Sequence, residues 1–423
     1  MKSILYILLV STLLSVIVAC SPKSENWTHL RGSTFDGHAQ TNVAPLHWSE
    51  TENVIWKSEV KGVGWSSPVI YGNQIWVTSA TRDGKEMFAM CYDFKDGNLL
   101  KEFTLFKPEN PGRIHGTNSY ASSTPCIEKG FFYAHYGTNG TACINTKTME
   151  IVWERNDLKC DHMQGAASSP ILYKNMLILH IEGTDVQYII ALNKKTGETI
   201  WKTERPEEIH NDVQSTFHKA YVTPIVINID GKDLLISNGA QACIAYDVNT
   251  GEEVWRFIYG EDSTVVMPIF YDGIIYINSG WVLSEGTPYF SRMYAVDPSL
   301  EGDITESGLI WWTEEDVPQL STPVIVDSKI YMVEERGMAS CLDAKTGNVF
   351  WKEEFEGNYN ASPIFAAGNI YFNNVKGKTT IVKPGEELNI VAENQIEGSV
   401  KATPAFVSGK MILRSDSHLY MVE

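Results

Sequence analysis

The sequence has few positive charges. Lys and Arg total 34 against 52 Asp and Glu, the formal net charge is −18, and the 423 residues contain no basic run. Nucleic-acid binding depends largely on Lys and Arg that neutralise phosphates, and adsorption to an anionic membrane needs a polybasic segment. The composition therefore excludes both. With 43% hydrophobic and 20% charged residues, it also excludes a disordered chain and allows a large core.

Long hydrophobic runs are equally scarce. The extended run that stands out, Ile4–Ala19, follows Lys2 and is too short for a comfortable membrane span. A basic start, an apolar core and small residues before the cleavage point are typical of an export signal. A cut directly before Cys20 resembles the bacterial lipobox. We therefore predict a signal peptide over residues 1–19, a lipidated Cys20, and a tether and lead-in segment over residues 20–53.

A short pattern repeats along the rest of the chain. A small or polar residue, usually Ser or Thr, precedes a Pro that opens an apolar run, a turn and a second apolar run. The copies are spaced 40 to 57 residues apart and lie at Ser67-Pro68, Thr124-Pro125, Ser169-Pro170, Thr223-Pro224, Met267-Pro268, Thr322-Pro323, Ser362-Pro363 and Thr403-Pro404. Pro is tolerated at the first position of a strand, so each copy predicts a β-hairpin.

Each repeat also ends in a similar way. A third apolar run ends in Asp or Asn, a turn that often contains Thr-Gly follows, and a fourth run carries a Trp. Asp247 to Gly251 leads to Trp255 in this manner, while the turn that begins at Asp297 reaches Trp311 only after an insertion. Gly supplies the positive φ of the turn, and the Asp side chain caps its backbone.

Eight repeats of four strands predict an all-β fold, an eight-bladed β-propeller of four-stranded antiparallel blades. The last repeat has three strands before Glu423, whereas residues 54–57 form an isolated fourth strand with its own Trp. We expect these two segments to pair and to close the ring. Residues 54–423 would then form a single domain.

These residues resemble the PQQ-like β-propeller repeat family, which includes BamB-like exported lipoproteins and, more distantly, the quinoprotein dehydrogenases. The Asp-x-x-Thr-Gly-x-x-x-Trp ending is similar to that family's docking motif, in which each Trp packs between neighbouring blades. The resemblance implies this structural role for Trp56, Trp153, Trp201, Trp255, Trp311 and Trp351.

The quinoprotein branch of the family implies a quinone cofactor next to a disulfide between adjacent cysteines, and a calcium ion on the propeller axis. No two of the seven cysteines here are adjacent. Four of them, Cys91, Cys143, Cys243 and Cys341, occupy one repeat slot, where other repeats carry Ala or Ile, which favours a place in the core. The sequence therefore supports neither PQQ nor calcium, and we predict no cofactor.

The long connections between strands cluster in one part of the sequence, from residue 106 to 221 and again at 280–291. In a propeller, they emerge on the same face as the loops between second and third strands. They bring polar, titratable and aromatic residues to one sector, where a ligand or partner would bind. The candidates are His115, Asn118, Tyr120, Cys160, His162, Gln164, Asp185, Gln187, His218, Trp65 and Trp281. Cys-x-His alone is a weak metal signal, so we assign no metal site and no catalytic residue.

We predict a monomeric, lipid-anchored platform in the cell envelope that binds a protein partner or a small ligand without catalysis. If Ser21 is the sorting residue, the anchor lies in the outer membrane. Two alternatives stay open: a quinoprotein-like oxidoreductase, and a propeller that binds glycans or peptides. A thermal shift on addition of the quinone with calcium would separate the oxidoreductase from the other two.

Overall fold

The computed structural model of this protein describes residues 26–211, 213–280 and 291–423. Over those ranges the chain forms eight sheets of at least four strands, one for each repeat, which confirms the eight-bladed propeller. Helix is confined, in the described ranges, to 3₁₀ turns at Gly137–Asn139, Glu207–His210 and Ser215–Phe217. None of the helices described is long and apolar enough to span a bilayer.

The strands run from the inner to the outer edge of each blade, except that the first strand, β1 (Val54–Glu59), belongs to the last blade. Blade 1 contains β2 (Val69–Tyr71), β3 (Gln74–Ala80), β4 (Met87–Asp93) and β5 (Leu99–Phe106). Blade 2 contains β6 (Cys126–Glu128), β7 (Phe131–His135), β8 (Thr141–Asn145) and β9 (Glu150–Arg155). Blade 3 contains β10 (Ile171–Tyr173), β11 (Met176–Glu182), β12 (Gln187–Asn193) and β13 (Thr199–Glu204). Blade 4 contains β14 (Ile225–Ile229), β15 (Lys232–Asn238), β16 (Ala242–Asp247) and β17 (Glu253–Ile258).

The second half of the ring repeats this order. Blade 5 contains β18 (Ile269–Tyr271), β19 (Ile274–Ser279), β20 (Arg292–Val296) and β22 (Leu309–Thr313), and the short β21 (Gly302–Asp303) adds to blade 4. Blade 6 contains β23 (Val324–Val326), β24 (Lys329–Val333), β25 (Met338–Asp343) and β26 (Val349–Glu354). Blade 7 contains β27 (Ile364–Ala366), β28 (Asn369–Asn373), β29 (Lys378–Val382) and β30 (Ile390–Gln395). Blade 8 contains β31 (Ala405–Val407), β32 (Lys410–Arg414) and β33 (His418–Val422).

The ring closes inside blade 8. Strand β1 pairs antiparallel with β33, in a register that runs from Val54 opposite Val422 to Glu59 opposite His418. The backbone N–H of Glu423 also donates to the carbonyl of Asn53 at 3.0 Å. The predicted closure is therefore confirmed, and main-chain hydrogen bonds hold both ends of the propeller.

The docking tryptophans join their own blade to the next one. Five of them donate their indole Nε1–H to a backbone carbonyl in the turn between third and fourth strands of the following blade, at 3.0–3.3 Å. These bonds run from Trp56 to Phe94, Trp153 to Lys194, Trp201 to Val248, Trp311 to Ala344 and Trp351 to Gly385. The motif therefore forms contacts between blades as well as hairpins within them.

Trp255 differs from the other five. Its side chain is fully buried, but its Nε1–H has no acceptor among the described residues. The turn of blade 5 carries the insertion that the sequence showed, and β21 from that insertion pairs in parallel with β17, with Gly302 opposite Trp255. The insertion thus covers the outer edge of blade 4 and replaces the usual docking turn.

The glycine of four docking turns, at Gly97, Gly197, Gly251 and Gly347, has a second role that the repeat pattern did not reveal. Asp247 caps its own turn by accepting from the N–H of Asn249 at 2.8 Å, and Gly251 has a φ of +77°. A Cβ added at Gly251 would lie 2.6 Å from the Trp201 ring of the preceding blade. Glycine is needed there because its lack of a side chain lets the neighbouring indole approach.

Gly251→Ala is expected to cost more stability than Gly231→Ala, a matched turn glycine of the same blade. Both residues have a positive φ, +77° and +84°, so both variants share a backbone cost of about 1–2 kcal/mol. Only the Cβ at Gly251 meets an indole, which adds about 1–3 kcal/mol, because nothing lies within 4 Å of a Cβ at Gly231. Urea denaturation measures both costs, and equal losses would contradict the docking role.

Candidate functional site

The residue before each strand-opening Pro builds a ring of hydrogen bonds around the axis. In six places, the backbone N–H of one blade donates to the Ser or Thr hydroxyl of another blade at 2.9–3.0 Å. The bonds run from Ser67 to Thr124, Thr124 to Ser169, Ser169 to Thr223, Met267 to Thr322, Thr322 to Ser362 and Ser362 to Thr403. Met267 has no hydroxyl, so the ring is interrupted between blades 4 and 5, and among the described residues no such bond joins Thr403 of blade 8 to Ser67 of blade 1. This hydroxyl ring is the physical reason for the Ser/Thr-Pro repeat.

The lead-in segment crosses the axis below the hydroxyl ring, on the side of the turns that join first and second strands. Trp27 forms a β-bridge with Ile70 of blade 1, and the Thr28 carbonyl accepts from a backbone N–H of blade 2. Farther along, Arg31 is fully buried and donates from Nη1 to the Thr322 carbonyl of blade 6 at 2.6 Å. The lead-in therefore forms a floor that ties together blades from opposite sides of the ring.

An axial cavity of about 150 Å³ lies above this floor, with Leu30 of the lead-in in its lining. Its wall is a second ring, formed by the third residue before the strand-opening Pro in every blade. These wall residues are Trp65, Ser122, Ala167, Tyr221, Val265, Leu320, Asn360 and Lys401. The residue type at this position differs from blade to blade, whereas the position directly before the Pro is Ser or Thr in all blades but one. The wall residues therefore determine the chemistry of the cavity.

Four predicted residues meet at this cavity: Trp65, His115, Asn118 and Gln164. The Asn118 side chain donates from Nδ2 to the Gln164 carbonyl at 2.9 Å, and the His115 N–H donates to the same oxygen at 3.0 Å. Tyr221 donates its hydroxyl to Gln164 Oε1 at 2.7 Å. The connections that enter blades 2, 3 and 4 are thereby held together at the mouth of the cavity.

Three other predicted residues, Tyr120, Cys160 and His162, line a separate crevice of about 210 Å³ on the same face. Cys160 Sγ lies 2.9 Å from His162 Nε2. Burial raises the pKa of the Cys160 thiol and lowers the pKa of His162 to about 4. Both groups are therefore neutral at pH 7, and the pair is not a thiolate–imidazolium nucleophile.

The remaining candidates lie elsewhere. Asp185 Oδ1 accepts from the N–H groups of Asp161 and Val186, and Gln187 donates to the Gly183 carbonyl. His218 is hydrogen-bonded to the Val213 carbonyl and stacks on His210 at a centroid distance of 4.4 Å. These three hold loops in place and are not part of the cavity wall. Cys20 and Trp281 lie outside the described residues.

Lys401 and Tyr221 were missed because neither belongs to a recognisable motif. Lys401 Nζ lies 4.4 Å from the ring centre of Trp65 and 3.3 Å from the Thr117 carbonyl. The signal that could have found both residues is the third position before each Pro, which also holds Trp65. In the described part of the chain, no group of three or more His, Cys, Asp or Glu is placed to hold a metal ion.

The architecture defines a PQQ-like β-propeller repeat protein. A family model described as outer membrane protein assembly factor BamB matches residues 41–300 and 294–383. The chain therefore belongs to that family.

Known relatives agree with this assignment at low identity. The outer membrane protein assembly factor BamB of Yersinia pestis is 21% identical over 266 residues, which cover 53% of this chain and 66% of that protein, just under two thirds of its length. The crystal structure of BamB from Moraxella catarrhalis has a TM-score of 0.61 at 12% identity, over 88% of this chain and 99% of that one. A quinohemoprotein alcohol dehydrogenase from Pseudomonas putida has a TM-score of 0.63 at 10% identity, over 94% and 80%. These two structural matches establish the fold alone.

Proposed function

We propose that this protein is an exported, lipid-anchored platform that binds a protein partner in the cell envelope and acts as a single propeller without catalysis. Its family is described by a role in outer membrane protein assembly. We extend that role to this chain as protein binding at the outer membrane, with Cys20 as the anchor.

The observation that carries the proposal is a pre-organised loop face. The connection over residues 106–122 is bonded to the connection over residues 157–167 through His115, Asn118 and Gln164. Two adjoining crevices of about 210 and 370 Å³ lie beside these connections and share Asn110, Thr138 and Asn139 in their linings. Loops that are ordered before binding lose little entropy when a partner docks, so such a surface favours protein recognition.

The residues around the axis do not fit the quinone that the name of the repeat implies. A cavity of about 150 Å³ is the size that holds one benzene ring, whereas the quinone is a fused three-ring tricarboxylate. The six described cysteines are free, buried thiols. We therefore propose that the platform works without PQQ or calcium.

Site-specific photocrosslinking tests the platform. A photoreactive amino acid at Arg113, an exposed residue of the 106–122 connection that lines the first crevice, is expected to capture one discrete envelope protein in the native bacterium. The same group at Lys147, an exposed residue in the turn on the opposite face of blade 2, is the matched control. Deletion of the gene is expected to lower the amount of folded outer membrane proteins.

Two results would contradict the platform. Identical adducts from Arg113 and Lys147 would show that the loop face has no preferred partner. If deletion left the protein composition of the outer membrane unchanged, the proposed role in outer membrane protein assembly would be contradicted.

A further inference from the structure

The wall of the axial cavity is chemically two-sided. Blades 7, 8 and 1 contribute Asn360, Lys401 and Trp65, whereas the adjacent blades 5 and 6 contribute Val265 and Leu320. Blade 5 lies diametrically across an eight-bladed ring from blade 1, so the apolar side chain of Val265 is placed across from Trp65. A ligand that fills the cavity would thus meet a polar, cationic side and an apolar side.

Lys401 supplies the positive charge of this wall. Its ammonium group lies over the Trp65 ring and donates to the Thr117 carbonyl. The charge of Asp416 favours the charged form of Lys401, but no described carboxylate forms an ion pair with it within 4.0 Å. Burial lowers the pKa of Lys401, which shows that its charge is poorly solvated. An anionic group in the cavity would offset this cost.

Trp65 forms the part of the wall beside Lys401. Its indole Nε1–H is buried and has no acceptor among the residues described. Six hydroxyls of the hydroxyl ring also line the cavity, and each accepts a backbone N–H, as at Thr124 and Thr403, which leaves its O–H proton able to donate. The surroundings of the cavity are therefore rich in donors, as an oxygen acceptor such as a carboxylate requires.

The size of the cavity sets the size of the ligand. A cavity of about 150 Å³ accommodates a benzene-sized body. A single carboxylate on such a body could face Lys401 while its apolar part contacts Val265 and Leu320.

We infer that the axial cavity is a binding site for a small organic acid, with the carboxylate held by Lys401 beside Trp65 and an apolar body of about one ring against blades 5 and 6. This site is separate from the crevices of the loop face, so the inference goes beyond the platform role. Failure of either proposal leaves the other intact.

Titration calorimetry with sodium benzoate tests the site, and benzamide serves as its neutral isostere. The purified exported protein is expected to bind benzoate saturably and benzamide about 10- to 100-fold more weakly, the factor that one charge-assisted hydrogen bond provides. Lys401→Met is expected to remove this preference, whereas the matched surface variant Lys147→Met should bind benzoate like the unaltered protein.

The comparison of the two ligands needs no variant, so the test stands even if Lys401→Met folds poorly. Equal affinity for benzoate and benzamide would overturn the anionic assignment. Absence of saturable binding at millimolar benzoate would overturn the site itself.

Discussion

Arg205→Met is expected to lower the free energy of unfolding by about 3–5 kcal/mol. Glu182 Oε1 lies 3.0 Å from Arg205 Nε and 2.8 Å from His180 Nε2, and all three side chains are about 1% exposed. Glu182 also accepts from the N–H of Ala240, which joins blade 3 to blade 4. Removal of the guanidinium leaves a carboxylate in the interior without its strongest partner, and urea denaturation measures the cost.

Two control variants separate burial from charge. Glu182→Gln combined with Arg205→Met removes both charges and is expected to recover much of the loss, because no unpaired ion is left inside. Lys232→Met breaks an ion pair with Glu301 whose side chains are about 70% exposed, and should change stability by less than about 0.5 kcal/mol. A loss at Arg205 no larger than at Lys232 would contradict the prediction.

Acid should weaken the same contact. Burial alone would raise the pKa of Glu182, but the charge of Arg205, the neighbouring His180 and the hydrogen bond from the Ala240 N–H lower it to about 2. Since the folded-state pKa is below the ordinary value of 4.5, the stabilisation is complete above about pH 4.5 and is lost as the pH falls toward 2. The doubly substituted protein should lack this part of the acid dependence.

Loss of the closing strand is expected to have the largest effect. A chain that begins at Val60 lacks β1, so β33 keeps β32 but loses its outer partner, and the Trp56 contact with blade 1 disappears. The lost backbone bonds and the lost indole together cost about 5 kcal/mol or more, comparable to the whole stability of many domains. We expect circular dichroism to show no cooperative thermal transition.

The chain that begins at Val60 lacks the lead-in as well as β1. A second chain, which also lacks the lead-in but carries the strand at its C-terminus, is therefore the matched control. Residues 53–59 joined after Glu423 through a short turn would pair with β33 as an ordinary fourth strand, since the N–H of Glu423 already contacts the Asn53 carbonyl. This relocated chain is expected to regain a cooperative transition. If both chains unfold alike, closure by β1 is not what stabilises the ring.

The repeat pattern predicted most, but not all, of the docking contacts between blades. The motif predicted Trp201 and its equivalents because the Trp and the turn that receives it recur at fixed positions. It could not predict the behaviour of Trp255, because an insertion has no repeat partner and only the folded chain shows β21 pairing with β17. The sequence also did not predict that Gly251 makes room for the Trp201 ring, because the two residues belong to different blades.

The contacts of the loop candidates could not be predicted from the sequence. It placed His115 and Cys160 in one sector, but the structure assigns them to different concavities. Loops have no periodicity, so their contacts depend on the ring that carries them.

The sequence by itself determined the number of blades and their four-strand composition, because strand periodicity and turn chemistry act between residues close together in the chain. It also determined the closure of the ring, because the last repeat lacks one strand and residues 54–57 supply one. Only the tertiary structure decided that the lead-in forms a floor and that Trp65 and Lys401 share a wall. Those residues are far apart in sequence, and the curvature of the completed ring alone brings them within contact distance.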